Sequence, residues 1–84
     1  MSQHHSHATV MKRLKRANGH LASIIGMLES ERSCVDIAQQ LRAVEAAIHS
    51  AKKTLIHDHI GHCLVEHHDP AQVVEEFRAI SKFL

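Results

Sequence analysis

The stretch Cys34–Cys63, CVDIAQQLRAVEAAIHSAKKTLIHDHIGHC, decides how this chain is read. It holds no proline, its one glycine is Gly61, and Ile37, Leu41, Val44, Ile48, Leu55, Ile56 and Ile60 recur at helical intervals. The spacing predicts one long second helix ending at about Val65. At about 100° per residue, His59 returns to within about 20° of the face of Cys34, and Cys63 follows one turn later. Three soft or borderline metal ligands therefore share a stripe. Within one straight helix they cannot meet: Cys34 and His59 stand roughly 37 Å apart, whereas metal–ligand bonds span about 2.0–2.3 Å. An antiparallel partner helix removes the conflict. Setting Cys34 opposite Cys63 of a second copy brings Glu45 opposite Lys52, Leu41 opposite Ile56 and Ile37 opposite Ile60. Ala43, Ala46, Ala47 and Ser50 then lie near the two-fold axis, small enough for close backbone approach. The expectation is an all-α, antiparallel helix-paired dimer with two identical sites, each taking Cys34 from one chain and His59 plus Cys63 from the other.

Composition points the same way. At 84 residues the chain makes one domain, residues 1–84, and a lone core of that size is marginal, so oligomers are favoured on stability grounds. The formal net charge of +1 conceals an asymmetry: Lys12, Arg13, Lys15 and Arg16 cluster early, while acids gather later. Trp and Tyr are absent and Phe occurs twice, which argues against an aromatic platform for single-stranded nucleic acid. No apolar run reaches the about 18 residues that span a bilayer, and no signal-peptide pattern precedes the first helix. A cytoplasmic chain with reduced thiols is the resulting expectation.

Outward from the central stretch, residues 1–8 (MSQHHSHA) read as a flexible, His-rich arm. Its imidazoles, His4, His5 and His7, belong either to a solvated tail or tag remnant, or to an arm that adds one more metal ligand. A first helix is expected from about Thr9, as cap, to Glu29, with Val10, Leu14, Ala17, Leu21, Ile24, Ile25 and Leu28 on its apolar stripe. Gly19 and Gly26 each weaken it by roughly 1 kcal/mol relative to Ala. Lys12, Arg13, Lys15 and Arg16 lie off the stripe and project outward, as a solvated face or as a phosphate-binding one, with Lys52 and Lys53 extending it. Asn18 and His20 border the patch. Ser33 followed by Asp36 matches a capping box, which starts the second helix at Cys34. That places one thiol at a helix N-terminus, read either as a ligand or as a small buried residue. His62 is a spare candidate ligand, and Asp58 or Glu66 a carboxylate to orient a ligand imidazole; His67 and His68 read as solvated. Asp69-Pro70-Ala71-Gln72 opens a third helix, with Val73, Val74, Phe77, Ile80 and Leu84 as its apolar face and Glu75, Glu76 and Arg78 solvated. No strand pattern and no internal repeat is present.

Across nearly the whole chain, RLKRANGHL, SCVDIAQQLRAVEAAIHSA and LIHDHIGHC resemble the CsoR/RcnR family of bacterial metal-sensing repressors. The resemblance implies a three-helix protomer, a dimer of dimers (homotetramer), and operator DNA binding without a helix-turn-helix. It places the family's ligand positions on Cys34, His59 and Cys63, and its basic DNA-contact positions on Arg13 and Arg16, with Lys53 added. Copper-sensing members share this Cys-His-Cys set, and two thiolates with one imidazole suit trigonal Cu(I). They carry a Tyr before the first Cys, where this chain has Ser33. Nickel and cobalt sensors add an N-terminal His, and His4, His5 and His7 stand a little after the usual position, here Ser2. The resemblance thus implies a repressor released from DNA by Ni(II) or Co(II), derepressing efflux or resistance genes, with Cu(I) sensing as the alternative. A formaldehyde sensor using Cys34 as nucleophile and a metal buffer that binds no DNA are further alternatives. No acid/base pair or nucleophile triad accompanies the ligands, so an enzyme is not expected.

Overall fold

The computed structural model describes residues 6–66 and 69–84, except the side chain of Cys63. Three helices follow one another: α1 (His7–Glu29), α2 (Cys34–Glu66) and α3 (Pro70–Ser81), with no strand among the described residues. The long central helix runs unbroken over 33 residues, a length of roughly 50 Å at 1.5 Å per residue.

Local chemistry explains where each helix starts and stops. Ser33 Oγ accepts a hydrogen bond from the Asp36 backbone N–H at 3.1 Å, and Asp36 lies in the first turn of α2. Asp69 caps α3 by accepting from the Ala71 N–H at 3.1 Å, with Pro70 directly after it. Both caps are legible in the sequence. The start of α1 is not. Ser6, not Thr9, stands at the cap position, without a side-chain cap bond, and the Val10 N–H closes the first turn on the Ser6 carbonyl at 2.8 Å. Apolar periodicity begins only at Val10, but nothing in His7-Ala8-Thr9 breaks a helix, so the helix runs one turn further back. The arm expected over residues 1–8 therefore loses its last residues to α1, and His7 opens that helix. His4 and His5 lie outside the described residues.

The α1–α2 turn closes with the Arg32 N–H on the Met27 carbonyl (3.0 Å) and the Glu31 N–H on the Leu28 carbonyl (3.2 Å). This is the paired-bond pattern that ends many helices, in which the residue after the cap adopts a left-handed conformation normally filled by Gly. Here that residue is Glu31, at φ 57°.

Antiparallel packing of α1 on α2 follows a repeat of seven. Val10, Ala17 and Ile24 are buried on α1, and Ile37, Val44 and Ala51 on α2. Each series steps by seven residues, the spacing that keeps one seam facing a partner helix in coiled coils. Ile24, Ile37 and Val44 form the central cluster, with Met27 against it. A second pair of sevenfold series stays open: Leu14, Leu21 and Leu28 on α1, and Leu41, Ile48 and Leu55 on α2, are between 37% and 59% exposed. α3 buries none of its residues fully. It lies across the end of α2, where Val73, Phe77 and Ile80 meet Ile60 and Leu64.

The protomer measures 56 × 24 × 13 Å, and its thinnest dimension is close to the roughly 10–12 Å width of one helix with side chains. Its accessible surface is 6588 Å², against about 5,000 Å² for a compact monomer of this mass. The open apolar series are part of that excess. They also bear on the expected register, since they show which residues of α2 are open to a second copy. Ile37 and Ile56 are covered within the protomer, Ile56 almost completely, so the pairs Ile37–Ile60 and Leu41–Ile56 do not support that register. Leu41, Ile48 and Leu55 are the aliphatic residues that α2 leaves open, and Glu45 and Lys52 are exposed beside them.

Left-handed backbone at a residue with a Cβ costs about 1–2 kcal/mol, partly offset by the entropy Gly loses on folding. Glu31→Gly is therefore expected to stabilise the fold by up to about 1 kcal/mol, read as a higher urea midpoint with an unchanged m-value.

Candidate metal centre and nucleic-acid interface

Cys34 is the first residue of α2 and is exposed. Counting by seven from it gives Leu41, Ile48 and Leu55, so the thiol heads the open apolar stripe of α2. His59 follows Leu55 by one turn, at the far end of the same stripe. Because α2 is continuous between them, the roughly 37 Å separation expected for a straight helix holds. No group of three His, Cys, Asp or Glu residues able to hold a metal forms within the protomer among the described residues. Cys63 lies in α2 one turn beyond His59. Two of the expected ligands thus bracket one open apolar surface and stay apart in a single chain.

His59 is held from α3. Its Nε2 stands 3.1 Å from Oε2 of Glu76, with both side chains partly exposed, 33% and 46%. An ionised carboxylate accepts only, so in the neutral ring this contact places the proton on Nε2 and the lone pair on Nδ1. The orienting carboxylates expected from the sequence are Asp58 or Glu66. Glu66 approaches Nε2 of His62 at 3.3 Å, one turn away on α2, and a carboxylate partner of His59 comes from a different helix. Glu76, expected to be solvated, takes that role. It falls on the same side of α3 as Val73 and Ile80, spaced three and four residues from them, and these three with Phe77 line the small apolar pocket that His59 closes. That periodicity is the available signal.

The basic residues separate into two kinds. Lys12, Lys15, Arg16 and Lys53 are exposed side chains. Arg13 is exposed like the rest, as expected, and in addition reaches across the hairpin, its Nη1 donating to Thr54 Oγ1 of α2 at 2.9 Å. His20 Nε2 meets Gln40 Oε1, also across the hairpin. A solvent-open groove lies beside these bridges, lined by Arg13, Arg16 and His20 of α1 and Ala47 and Ser50 of α2. Arg13 and His20 are seven apart, as are Gln40, Ala47 and Thr54. A polar and small row therefore runs alongside the apolar seam. The sequence carries that spacing, but polarity conceals it as a helix contact.

Known proteins share this architecture. The family described as "Metal-sensitive transcriptional repressor" matches residues 6–82. The chain belongs to that family, the CsoR/RcnR repressors. Among relatives, the copper-sensing transcriptional repressor CsoR of Bacillus subtilis (strain 168) is 32% identical over 96 residues, covering 98% of this chain and 95% of its own length. CsoR of Mycobacterium ulcerans (strain Agy99) is 45% identical over 53 residues, 63% of this chain and 45% of that protein. CsoR of Mycobacterium bovis (strain BCG / Pasteur 1173P2) is 34% identical over 74 residues, 83% and 62% of the respective lengths. The chain thus spans about half the length of those mycobacterial relatives. Among solved structures, the nickel-responsive transcriptional regulator InrS superposes with a TM-score of 0.86 over 100% of this chain and 99% of that one, at 23% identity, and so shares the fold. The family's members are transcriptional repressors rather than enzymes.

If Glu76 orients a ligand imidazole, removing it weakens metal binding without unfolding the protein. Glu76→Ala is expected to lower metal affinity about 10- to 100-fold, with the helical circular dichroism retained; competition titration against a chromophoric chelator measures it.

Proposed function

We propose that this chain is a cytoplasmic, metal-responsive transcriptional repressor that binds operator DNA without metal and leaves it on binding Ni(II) or Co(II). The observation that carries the reading is the placement of Cys34 and His59 at opposite ends of the open Leu41–Ile48–Leu55 stripe. A second copy laid antiparallel on that stripe covers the apolar residues and brings a thiol from one chain to an imidazole on the other. Cys63, one turn past His59, supplies the second sulfur. Glu45 and Lys52 flank the stripe and set the register by charge. The open Leu14–Leu21–Leu28 series on α1 gives such dimers a further apolar face, which supports assembly to a tetramer. Release of operator-bound metal-efflux or resistance genes follows from the switch.

The donor set fits a metal of borderline or soft character: thiolates and imidazole suit late first-row ions, whereas hard cations prefer oxygen. The bound metal would supply a bond between two chains that otherwise meet only through side-chain packing. The sequence also offers His4, His5 and His7 as sources of a fourth ligand, which favours Ni(II) or Co(II) over an ion content with three ligands. Lys12, Arg13, Lys15, Arg16 and Lys53 face operator phosphates, whose neutralisation releases counterions and makes binding steeply salt-dependent. Linkage requires that DNA weaken metal binding by the same factor that metal weakens DNA binding, typically about 1–3 kcal/mol.

The second reading is a Cu(I) sensor. It is favoured by the copper-sensing relatives and by the two sulfurs, which suit trigonal Cu(I). Charge-transfer and ligand-field absorption on titration with Ni(II) or Co(II), followed by challenge with Cu(I), separates the two.

Cys34→Ala is expected to leave operator affinity of the apo protein within about twofold while abolishing metal-induced release, because one sulfur of each shared site is lost. A gel-shift titration with and without metal checks it. Operator affinity that no metal changes in the wild type would overturn the proposal.

A further inference from the structure

Among the five cations assigned to the nucleic-acid face, Arg13 is the one that makes a cross-helix bond within the described residues. Lys12, Lys15 and Arg16 share its helix and are exposed. Its Nη1 is held 2.9 Å from Thr54 Oγ1, and Arg13 lines the open groove together with Arg16 and His20. Guanidinium carries five N–H donors in a rigid plane. Spending one of them on a hydroxyl fixes the plane and leaves further donors to bind a phosphate, singly or in pairs. An exposed lysine or arginine loses its rotamer freedom only when DNA arrives, whereas Arg13 has given up much of that freedom in the folded chain.

We propose that Thr54 is a positioning residue for DNA binding: its hydroxyl holds Arg13 in the orientation that seats a duplex phosphate in the α1–α2 groove. The inference rests on the DNA-binding reading above and goes beyond it, since no base or phosphate need touch Thr54. It also gives a role to the hydroxyl of Thr54, which belongs to the polar and small row alongside the apolar seam and is only partly exposed. The bond ties the phosphate contact to the α1–α2 pairing, so only a correctly docked hairpin presents Arg13.

The test uses the full chain without metal and a short fluorescent duplex of mixed sequence, because phosphate contacts carry no sequence information. Affinity is measured by anisotropy over a series of salt concentrations for wild type, Thr54→Val, Thr54→Ser, Arg13→Ala and the Thr54→Val/Arg13→Ala double variant. Thr54→Val keeps the shape and removes the hydroxyl. It is expected to weaken binding about two- to tenfold while leaving the salt slope unchanged, since the Arg13 charge remains. Thr54→Ser restores binding. Arg13→Ala weakens binding and lowers the slope by about 0.9 for each phosphate that is no longer neutralised, and adding Thr54→Val to it costs nothing more. Circular dichroism and metal titration of each variant establish that the fold is kept.

Wild-type affinity in Thr54→Val overturns the proposal. So does an equal cost of Thr54→Val with Arg13 present or absent, or a serine that fails to restore binding. These results leave the DNA-binding reading intact, because wild type still binds with a steep salt slope. A wild type that shows no salt-dependent duplex binding overturns the DNA-binding reading and the role of Thr54 together.

Discussion

The constraint on which the rest depends is the continuity of α2. Thirty-three residues without a break fix every side chain on that helix by rise and rotation alone. Cys34 and His59 come to one face and are held far apart by the same geometry. A kink or loop anywhere between them would have let a single chain fold both toward one ion. The unbroken backbone forbids that, so the metal site proposed above takes its ligands from two chains. On the same proposal the open leucine and isoleucine series, which lies between Cys34 and His59, is the surface that a second chain covers.

Packing inside the protomer uses a different stripe of the same helix. The seam of Ile37, Val44 and Ala51 faces α1, while Leu41, Ile48 and Leu55 face away. Two series of period seven on one helix give it two apolar faces, one covered within the chain and one left open. α3 adds a neighbour at the far end, and its Glu76 fixes the orientation of the His59 ring. A change at that end of α2 therefore reaches α3 through a specific polar contact. On its other side α2 is joined to α1 by the bonds Arg13–Thr54 and His20–Gln40, which bridge the hairpin at separate heights.

Much of this is legible in the sequence. Lack of Pro and delayed Gly foretell the long helix; Ser33 and Asp69 foretell two helix starts, because a side-chain cap is a local event needing only its own few residues. What escapes such a reading is non-local. Periodicity tells which residues are apolar but not which neighbour covers them, so Ile37 and Ile56 look available to a second copy although α1 and the protomer itself bury them. Arg13 and Glu76 look solvated because charged residues usually are. Their partners, Thr54 and His59, lie 41 and 17 residues away, beyond any local pattern. Thr9 misleads for the opposite reason: a good cap residue does not start a helix when the residues before it are equally willing to be helical.

The thinness of the protomer has a consequence for how such a chain persists. A slab of 13 Å buries one seam of apolar residues between α1 and α2 and leaves a second set, Leu41, Ile48 and Leu55 among them, open to water. In the proposed dimer, covering the open flank is a bimolecular event, and the free energy gained there scales with the logarithm of how much chain is present. On that proposal dilution acts as a denaturant, and the abundance of the chain sets how much of it is folded.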